Sequence, residues 1–358
     1  MQDGSLVHIT AGNQSCDLDS IASSLAHAHY ITTTQEGVVS IPLLLCNRED
    51  LALRTDATWL LSALGIDQSK LVCADEITSE WLSGVGQLSV TLVDHSRPTG
   101  VLADFSSAVR EVIDHHKVDV EEEVGGLKWK SRVEAVGSCS TLVAEKLLDE
   151  KLYAVEGTVA TLLLAAILID TVDLCESEGR VTEKDTAIAE KLIPLSTIAR
   201  SELFQQLFEA RFNISSLTTP QLLRKDFKLA TAGPYTLGFS SITALLSDFL
   251  LPREHLTHDL DQFCEAHGIH VLLLLGISVD KEKRRKRQIA IYQPHIQLTA
   301  SLSADFVDSV ASVLEAEDAL KCERVTEVVF DGALLEQHNT AMSRKHIMPT
   351  VTHFLAST

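Results

Sequence analysis

The stretch VREVIDHH, residues 109–116, joins a short strand-like run to a carboxylate and two imidazoles. Residues 109–113 predict a strand, and Asp114, His115 and His116 follow at its end. A buried strand gains nothing from three such groups unless they bind something, because each unpaired polar group costs several kcal/mol there. An exposed strand end is the alternative interpretation, and a three-residue match also arises by chance. The triplet gains weight because three other segments place aspartates in the same kind of position.

Strand-like and helix-like segments alternate through the first half of the chain. We predict strands at residues 6–11, 38–45, 88–93 and 109–113, and helices at residues 19–30, 50–64, 137–148 and 159–169. This alternation predicts an α/β fold whose parallel sheet is covered on both faces. Ligands of such sheets bind beyond the carboxyl ends of the strands. Asp17, Asp94 and Asp114 come just after predicted strands, which is where that rule places the chemistry.

The pattern changes after Pro194. Residues 196–220 are predicted to be helical and then turn-like. The segments that follow predict strands at residues 227–232, 235–242, 271–279 and 289–292, and helices at residues 256–267 and 303–314. This arrangement favours a smaller C-terminal α/β domain with a mixed or antiparallel sheet. We therefore predict an N-terminal domain at 1–195, a linker region at 196–220 and a C-terminal domain at 221–358, with the active site in the cleft between the two domains.

The composition restricts the possible functions. Of the 358 residues, 45% are hydrophobic, which is typical of a globular chain, and the formal net charge is −20. This charge argues against nucleic acid as a partner, because nucleic-acid binders need a basic surface. If the substrate is an anion, positive charge must be concentrated locally by metal ions or by a basic patch.

The cysteines and the apolar runs indicate a cytoplasmic protein. The seven cysteines are odd in number and form no CxxC pair, so reduced thiols are expected rather than a disulfide framework or a zinc ribbon. The N-terminus lacks the features of a signal peptide. The longest apolar run, residues 159–169, spans about half a bilayer and predicts a buried helix, so no membrane association is expected. The sequence leaves the oligomeric state open and is compatible with a monomer.

Four segments carry candidate metal ligands. The turn at residues 12–20 contains Asn13, Asp17 and Asp19, and the other segments contain Asp94-His95, the Asp114 triplet, and Asp170 at the end of the apolar helix. Helix capping by Asp19 or Ser20 would explain one aspartate of the first turn but not both. Carboxylates with one or two imidazoles suit Mg²⁺ or Mn²⁺ better than zinc, and so many carboxylates need two cations to balance their charge. The residues alone predict a dinuclear phosphohydrolase, with scattered structural aspartates as the alternative.

Taken together, the four segments resemble the four motifs of the DHH phosphoesterase superfamily in order and spacing. Ser343-Arg344-Lys345-His346 resembles the Ser-Arg-Lys signature of its second C-terminal domain type, DHHA2. This pairing is typical of the branch that contains family II inorganic pyrophosphatases, eukaryotic cytosolic exopolyphosphatases and prune-like proteins. The resemblance covers essentially the whole chain.

The resemblance implies two divalent metal ions per active site. Asp17 matches a ligand of the first metal, and Asp94 matches the carboxylate that bridges both metals. Asp19, His115 and Asp170 match ligands of the second metal. The catalytic set that the resemblance implies is Asp17, Asp19, Asp94, His115 and His116.

The resemblance also implies a set of substrate-binding residues. His116 matches the imidazole of the family that contacts phosphate. Arg344 and Lys345 match cationic side chains that hold substrate phosphate from the second domain, and Lys228 is a weaker match to another such lysine. Asp114 is expected to orient an imidazole.

Asn13 is an informative departure from the pattern, because family II pyrophosphatases have histidine there. Asparagine at this position resembles the exopolyphosphatase and prune branch, and it should shift the metal preference toward Mg²⁺. His95 resembles the second motif of the same branch, where it would contact substrate or a metal-bound water. We count both residues as candidate substrate-binding residues.

These observations favour a phosphoric anhydride hydrolase, specifically an exopolyphosphatase that releases terminal orthophosphate from inorganic polyphosphate. The first alternative is a short-chain polyphosphatase, a pyrophosphatase or a cyclic-nucleotide phosphodiesterase that uses the same site. The second is a prune-like interaction protein in which catalysis is secondary, although the intact aspartates and a chain that ends at Thr358 argue against it.

Two other segments have competing interpretations. Residues 281–287, KEKRRKR, carry six positive charges and one negative charge, and they predict a solvated loop, a nuclear-localisation-like string or a track for distal phosphates. Residues 137–141 predict a helix start capped by serine or threonine, with a phosphate cradle as the less favoured alternative.

Overall fold

The computed structural model describes residues 6–116, 130–150, 155, 157–279, 284–296, 305–326 and 330–356. The chain divides into two compact units, Met1–Asn213 and Ile214–Thr358. The predicted cleft between the domains and the predicted boundaries at 195 and 221 stay predictions.

A six-stranded parallel sheet organises the first unit. Its strands are β1 (Leu6–Ala11), β2 (Val39–Leu44), β3 (Val72–Cys73), β4 (Gln87–Val93), β5 (Val109–Asp114) and β6 (Lys130–Val133). They pair in the order β3-β2-β1-β4-β5-β6, and every pair is parallel. The predicted parallel sheet is thus confirmed. The direction of strand order reverses between β1 and β4, which is where ligands bind in open α/β sheets.

Among the described residues of the first unit, seven α-helices accompany this sheet. They are α1 (Leu18–Thr34), α2 (Thr55–Ala63), α3 (Ser79–Ser83), α4 (Cys139–Glu150), α5 (Thr158–Asp170), α6 (Glu183–Leu192) and α7 (Arg200–Phe212). From Val159 to Ile169, α5 is buried on all sides, which explains why its sequence is apolar without a polar face. The helix predicted at 50–64 is interrupted, because a 3₁₀ turn at Arg48–Leu53 ends at Arg54 and α2 begins after it.

A six-stranded mixed sheet organises the second unit. Its strands are β7 (Phe227–Ala232), β8 (Tyr235–Ile242), β9 (Val271–Val279), β10 (Arg285–Tyr292), β11 (Cys322–Arg324) and β12 (Ala333–Gln337), in the order β11-β12-β10-β9-β8-β7. The β8–β9 pair is parallel and the other pairs are antiparallel. The helices are α8 (Thr219–Lys225), α9 (Leu256–His267), α10 (Phe306–Ala316) and α11 (Arg344–Ala356). The predicted mixed sheet is confirmed.

Apolar side chains cover both faces of each sheet. In the first unit one core cluster includes Ile21, Leu142 and Leu163, and another includes Ile9, Leu92 and Val112. The strands of a sheet covered on both faces are expected to be continuously apolar, and β1 is buried throughout after its first residue. Among the described residues, no helix is long and apolar enough to cross a membrane.

Candidate metal centre

The carboxyl edge of the parallel sheet gathers most of the predicted ligands. The loop after β1, the residue after β4 and the two histidines after β5 meet at the point where the strand order reverses. They line a cavity of about 660 Å³ within the first unit. The lining residues are Asn13, Gln14, Ser15, Asp17, Asp19, Asp94, His115, His116, Val136, Gly137, Asp170 and Arg180. The structure therefore places all five predicted metal ligands around one space.

A close approach of the chain to itself shapes the first loop. A Cβ atom on Gly12 would lie 2.7 Å from the Cβ of Ser20, so only glycine lets α1 begin this near to the end of β1. The Asn13 amide donates to Ser20 Oγ at 3.0 Å, and Ser20 Oγ donates to Asp94 Oδ2 at 2.6 Å. The loop after β1 and the end of β4 are thus joined through one hydroxyl.

The two carboxylate oxygens of Asp94 differ, because Oδ2 accepts hydrogen bonds from Ser20 and Asn13 and Oδ1 does not. Its backbone has a φ of 63°, which is uncommon outside glycine and turns the side chain at the strand end. Oδ2 accepts from Ser20 and from Asn13 Nδ2, the latter at 2.8 Å. Oδ1 is buried, and the nitrogen that approaches it most nearly is His115 Nε2 at 3.2 Å, which can donate only when the ring is protonated.

The tautomer of His115 determines what its Nε2 can offer to Asp94 Oδ1. Its Nδ1 lies 2.9 Å from the carbonyl oxygen of Val136, so Nδ1 carries the proton and donates, and in the neutral ring Nε2 carries a lone pair. Two lone pairs would then face each other across 3.2 Å unless a proton or a metal cation lies between them. Burial lowers the pKa of His115, but the hydrogen bond to Asp94, the Val136 carbonyl and the charge of Asp19 outweigh it and raise the pKa to about 10.

Asp17 and Asp19 both cap helices while they line the cavity. Asp17 caps α1 by accepting from Ser20 N at 3.2 Å. Asp19 accepts from the amides of Cys139 and Ser140, at 2.6 and 2.8 Å, and so caps α4 from a distant part of the sequence. The prediction that serine or threonine caps this helix is wrong, because a buried carboxylate already takes the first amides of α4. These amides are therefore not available as a phosphate cradle.

Burial and mutual repulsion act on the same carboxylates. Burial and the charge of Asp94 raise the pKa of Asp17, and the same two causes raise the pKa of Asp19 to about 6. Burial, followed by the charges of Asp19 and Asp17, raises the pKa of Asp170 well above its usual value. Asp170 Oδ2 is also buried without a hydrogen-bond partner. Helix capping alone would not explain why four carboxylates lie together, because their desolvation and mutual repulsion destabilise the fold.

The residues fit divalent cations. The cavity offers carboxylate oxygens and one imidazole nitrogen whose partner atom fixes the ligand tautomer, which is the donor set that Mg²⁺ or Mn²⁺ takes in proteins. One ligand atom from each of Asp94, His115 and His116 lies within 4.8 Å of the others. A cation would satisfy Asp170 Oδ2, which has no hydrogen-bond partner, and Asp94 Oδ1, which faces only histidine nitrogens.

His116 has a different environment from its neighbour. Asp114, which is buried, accepts from His116 Nδ1 at 2.8 Å and from its backbone amide at 3.1 Å. The His116 side chain is 57% exposed. Because Nδ1 donates to Asp114, Nε2 is left to meet a ligand in the cavity, and Asp114 fixes the ring as expected.

His95 lies outside the cavity lining. Its Nδ1 donates to the carbonyl oxygen of Val93 at 2.9 Å, and its Nε2 is buried without a hydrogen-bond partner. Burial lowers the pKa of this imidazole, so the ring is neutral at physiological pH. Its assignment to substrate stays a prediction.

The side chain of Asn13 is engaged within the loop. Nδ2 donates to Asp94, and Oδ1 accepts from the amide and the hydroxyl of Ser15, the amide contact being 2.8 Å. Asn13 therefore orients the carboxylate that is predicted to bridge the metals. Its predicted contact with substrate is not tested by this geometry.

The three cations predicted to hold phosphate belong to the second unit. Arg344 binds Asp226 Oδ1 at 2.9 Å and Ser241 Oγ at 3.2 Å, whereas Lys345 is exposed. Lys228 lies on β7 and is exposed. Their roles stay predictions.

Arg180 is a lining residue that the sequence reasoning missed. Gly137 packs so closely beside it that a Cβ there would lie 2.8 Å from the carbonyl oxygen of Arg180. The buried carboxylate of Asp185 holds the two segments together by accepting from the amides of Gly137 and Thr182, each at 2.8 Å. The available signal was the position of Arg180 one residue after a glycine and two before the capping box that opens α6. The side chain of Arg180 places a guanidinium at the rim of an acidic cavity.

Comparison with known proteins identifies the family. The model of the DHH family N-terminal domain matches residues 8–167, and that of the DHHA2 domain matches residues 205–354. Exopolyphosphatase PRUNE1 of Bos taurus is 34% identical over 362 residues, covering 100% of this chain and 77% of the relative, and that of Homo sapiens is 33% identical over 360 residues with the same coverage.

More distant relatives carry pyrophosphatase names. A Brevibacillus brevis protein named "Probable manganese-dependent inorganic pyrophosphatase" is 27% identical over 246 residues, covering 68% of this chain and 72% of the relative. The crystal structure of a Methanococcus jannaschii protein assigned to the family II inorganic pyrophosphatases aligns with a TM-score of 0.52 and 20% identity, over 97% of this chain and 99% of that one, which shows a shared fold. The chain belongs to the DHH family with a DHHA2 domain, in the branch that contains exopolyphosphatase PRUNE1.

Proposed function

We propose that this chain is a metal-dependent exopolyphosphatase that hydrolyses the terminal phosphoric anhydride of inorganic polyphosphate. The observation that carries the proposal is the approach of Asp94 Oδ1 and His115 Nε2 to 3.2 Å inside a ring of further carboxylates. Such a pair needs a positive charge, and the relatives named as exopolyphosphatase PRUNE1 supply the substrate class. The coarser reaction, hydrolysis of a phosphoric anhydride, is common to those relatives and to the one named as a pyrophosphatase.

We assign the metal ligands to the residues that the resemblance implies. Asp17 and Asp94 would hold one cation, and Asp94, Asp19, His115 and Asp170 would hold the other. When Mg²⁺ or Mn²⁺ is bound, the two cations neutralise phosphoryl oxygens and lower the pKa of water. Asp94 suits the bridging role because Ser20 and Asn13 fix Oδ2 and make no hydrogen bond to Oδ1.

The chain's own residues would orient the substrate and the protons. His116, held through Nδ1 by Asp114, would in its imidazolium form donate from Nε2 to a phosphoryl oxygen as negative charge develops there. Arg180 would bind a second phosphoryl group from the rim of the cavity, where a planar guanidinium can donate two parallel hydrogen bonds. Arg344, Lys345 and Lys228 would add positive charge from the second unit. We also propose a cytoplasmic location, for which the free thiols are the support.

Phosphate release from pyrophosphate, tripolyphosphate and long-chain polyphosphate, each with Mg²⁺, with Mn²⁺ and with chelator, tests this proposal. We expect release from tripolyphosphate and longer chains in the presence of either metal and none with chelator. Release from pyrophosphate alone would assign the chain to the pyrophosphatases. No release from any chain, with metal binding demonstrated by calorimetry, would favour an interaction protein.

Pyrophosphate hydrolysis is the second candidate because of the relative that carries that name. Asn13→His tests the choice between the two. An imidazole at this position would add a nitrogen ligand beside Asp94, so we expect tighter Mn²⁺ binding and more pyrophosphate hydrolysis relative to long chains. Asn13→Gln, which keeps an amide, is the matched control. Unchanged Mn²⁺ affinity in the histidine variant would refute this account of the first loop.

A further inference from the structure

A run of cations opens strand β10 in the second unit. Residues 284–287 are consecutive basic residues, and the first three of them are exposed. Arg285, Lys286 and Arg287 pair with β9 opposite Val279, Ser278 and Ile277, whereas pairing with β12 begins only at Gln288. The predicted hairpin tip at 281–283 lies outside the described residues. The described part of the run is therefore a regular strand whose β12 side is free of strand pairing.

The strand register divides these cations between two faces. Successive side chains of a strand point to opposite sides, so Arg285 and Arg287 share one face and Lys286 lies on the other. Arg287 Nε donates to the carbonyl oxygen of Thr340 at 2.9 Å. The Arg285 and Arg287 face is thus the face beside the loop that leads into Ser343, Arg344 and Lys345.

Hydrogen bonds hold that loop together. Gln337 is buried, and its Nε2 donates to the carbonyl oxygens of Asn339 and Met342 at 2.8 and 2.9 Å. Asn339 is in turn tied to the carbonyl oxygen of Ala319 at 2.6 Å. A fixed loop therefore joins the guanidinium of Arg287 to the start of α11, where Arg344 and Lys345 lie.

The two arginines of this face lack acidic partners among the described residues. Neither side chain forms an ion pair with a described carboxylate, although the chain as a whole carries a net charge of −20. Arg285 and Arg287 lie two residues apart on one face of β10, so their guanidinium groups repel each other, and burial together with the charge of Arg285 lowers the pKa of Arg287. Repulsion of this kind is relieved by an anion that bridges both groups.

We propose that Arg285 and Arg287 form a second phosphate subsite, which holds distal phosphates of a polyphosphate chain whose end is engaged near Arg344 and Lys345. This proposal rests on the proposed function and goes further, because it names the residues that would set the preference for long chains. A linear polyanion whose end is held at Arg344 and Lys345 extends over further surface of the second unit, and Arg285 and Arg287 supply cations on the face whose Arg287 contacts the loop before Arg344. The competing explanation is that charges at an unpaired strand edge only prevent association with another sheet.

Charge-neutralising variants on the two faces of β10 separate these explanations. Arg285→Gln/Arg287→Gln removes charge from the proposed subsite, and Lys286→Gln removes charge from the opposite face as a matched control. We expect the double variant to lower kcat/KM for long-chain polyphosphate about tenfold and to leave tripolyphosphate unchanged, because two charge-assisted contacts are lost. The dependence of long-chain binding on salt should also become shallower. Lys286→Gln should change neither quantity more than about twofold.

Direct binding distinguishes failure of this inference from failure of the proposed function. Calorimetric titration of the metal-free full chain with long-chain polyphosphate measures binding to the subsite without hydrolysis. The affinity of the Arg285→Gln/Arg287→Gln variant should be about tenfold lower than that of the wild type. The subsite proposal would be overturned if Lys286→Gln lost as much affinity for long chains, or if the double variant lost as much affinity for tripolyphosphate. A wild-type chain that hydrolyses nothing would refute the proposed function, while this titration still decides the subsite. Arg285→Gln alone, at an exposed position, guards against a folding defect caused by losing the Arg287 contact with Thr340.

Discussion

The first unit carries two clusters of polar side chains on one parallel sheet, the metal centre at its carboxyl edge and a network in its middle. The mid-sheet network consists of His8, Thr10, His27, Ser40, Thr91, Glu111, Lys146 and Glu150. Thr10, Thr91 and Glu111 form a row across β1, β4 and β5. Glu111 meets His27 at 3.3 Å and Lys146 at 3.0 Å. Each cluster combines buried and exposed side chains, so burial alone does not distinguish them.

The difference lies in how the charges are matched. In the mid-sheet network, Glu111 faces a cation and an imidazole, and each of its oxygens has a partner. In the metal centre, four carboxylates repel one another, Asp170 Oδ2 has no hydrogen-bond partner, and Asp94 Oδ1 faces only histidine nitrogens. A structural network satisfies its polar atoms internally, whereas a cation site leaves them unsatisfied until its ligand arrives. The following predictions test this distinction, in order of decreasing effect.

Replacing Asp94 should abolish function and leave the fold intact. In Asp94→Asn, the new amide would keep an oxygen for the donors Ser20 and Asn13 and would turn an N–H toward His115 Nε2. Asparagine also tolerates the left-handed backbone of this position. We expect the substitution to lower kcat/KM by about a thousandfold, which corresponds to about 4 kcal/mol. The unfolding free energy of the metal-free protein should change by less than about 1 kcal/mol.

Thermal unfolding with and without Mg²⁺ provides the control for Asp94→Asn. A ligand at about a hundred times its Kd stabilises the wild type by about 2.7 kcal/mol, and this increment should vanish in the variant. A variant that is stabilised by Mg²⁺ as strongly as the wild type would contradict the assignment of Asp94 as a ligand.

Replacing Glu111 should lower the stability of the fold and leave the activity intact, which is the opposite of the result expected for Asp94. Burial raises its pKa, but the hydrogen bond from His27 and the charge of Lys146 outweigh this and lower the pKa to about 2. A carboxyl whose folded pKa is depressed stabilises the protein above the unfolded value, and this contribution is lost as the pH falls toward 2. Glu111→Gln should therefore cost about 2–3 kcal/mol of unfolding free energy at neutral pH. Denaturant unfolding should show that cost shrinking on acidification, and kcat per folded molecule should stay within about twofold of wild type.

Much of the fold followed from local patterns. The strands at 227–232 and 271–279 and the helix at 256–267 have the predicted bounds, because turn residues and apolar periodicity define them locally. β10 begins at Arg285, whereas the predicted strand begins at 289. The prediction was too short because consecutive charged residues lack the apolar pattern of a strand. The short strands β3, β6, β11 and β12 were missed, because two to five residues carry too little periodicity to be recognised.

The candidate site was predicted in its residue types and only partly in its construction. Aspartates after strands predict a site at the sheet edge, and the structure brings them together there. No local pattern indicates that Asp19 caps a helix 120 residues further along the chain. Nor does the sequence reveal that Val172, Asp173 and Leu174 are all left-handed, which reverses the chain directly after Asp170. Contacts of this kind depend on tertiary packing, which one sequence does not display.

Metal affinity should rise with pH. The raised pKa values of His115, about 10, and of Asp19, about 6, mean that protons occupy the positions that cations would take. Each displaced proton strengthens the apparent affinity about tenfold per pH unit. We expect Mg²⁺ binding to tighten between pH 6 and 8 by about tenfold per unit and to release about one proton, chiefly from His115. Calorimetry in buffers of different ionisation enthalpy measures this release directly.

The same shifts give the metal-free protein a pH dependence opposite in sign to that of Glu111. Because the folded pKa of Asp19 is raised from 3.8 to about 6, the folded state holds more protons in this interval, and stability falls as the pH rises through it. Saturating Mg²⁺ should remove the decrease. A metal-free protein whose stability increases across this interval would show that the carboxylates are paired in a way that the structure does not contain.

Arg180 should have the smallest effect, confined to substrate binding. Asp185 and the tight packing at Gly137 hold its backbone at the cavity rim, and the described residues give its guanidinium no ion-pair partner. Arg180→Gln should raise KM for tripolyphosphate about threefold to tenfold with kcat nearly unchanged, since an exposed charge contact contributes about 1 kcal/mol. Arg180→Lys, which keeps the charge but loses the planar fork, should recover part of the loss, and Lys191→Gln on α6 is the control for net charge. A fall in kcat at constant KM would instead place Arg180 at the developing charge of the reaction, and Mg²⁺ affinity should be unaffected in either case because arginine is not a metal ligand.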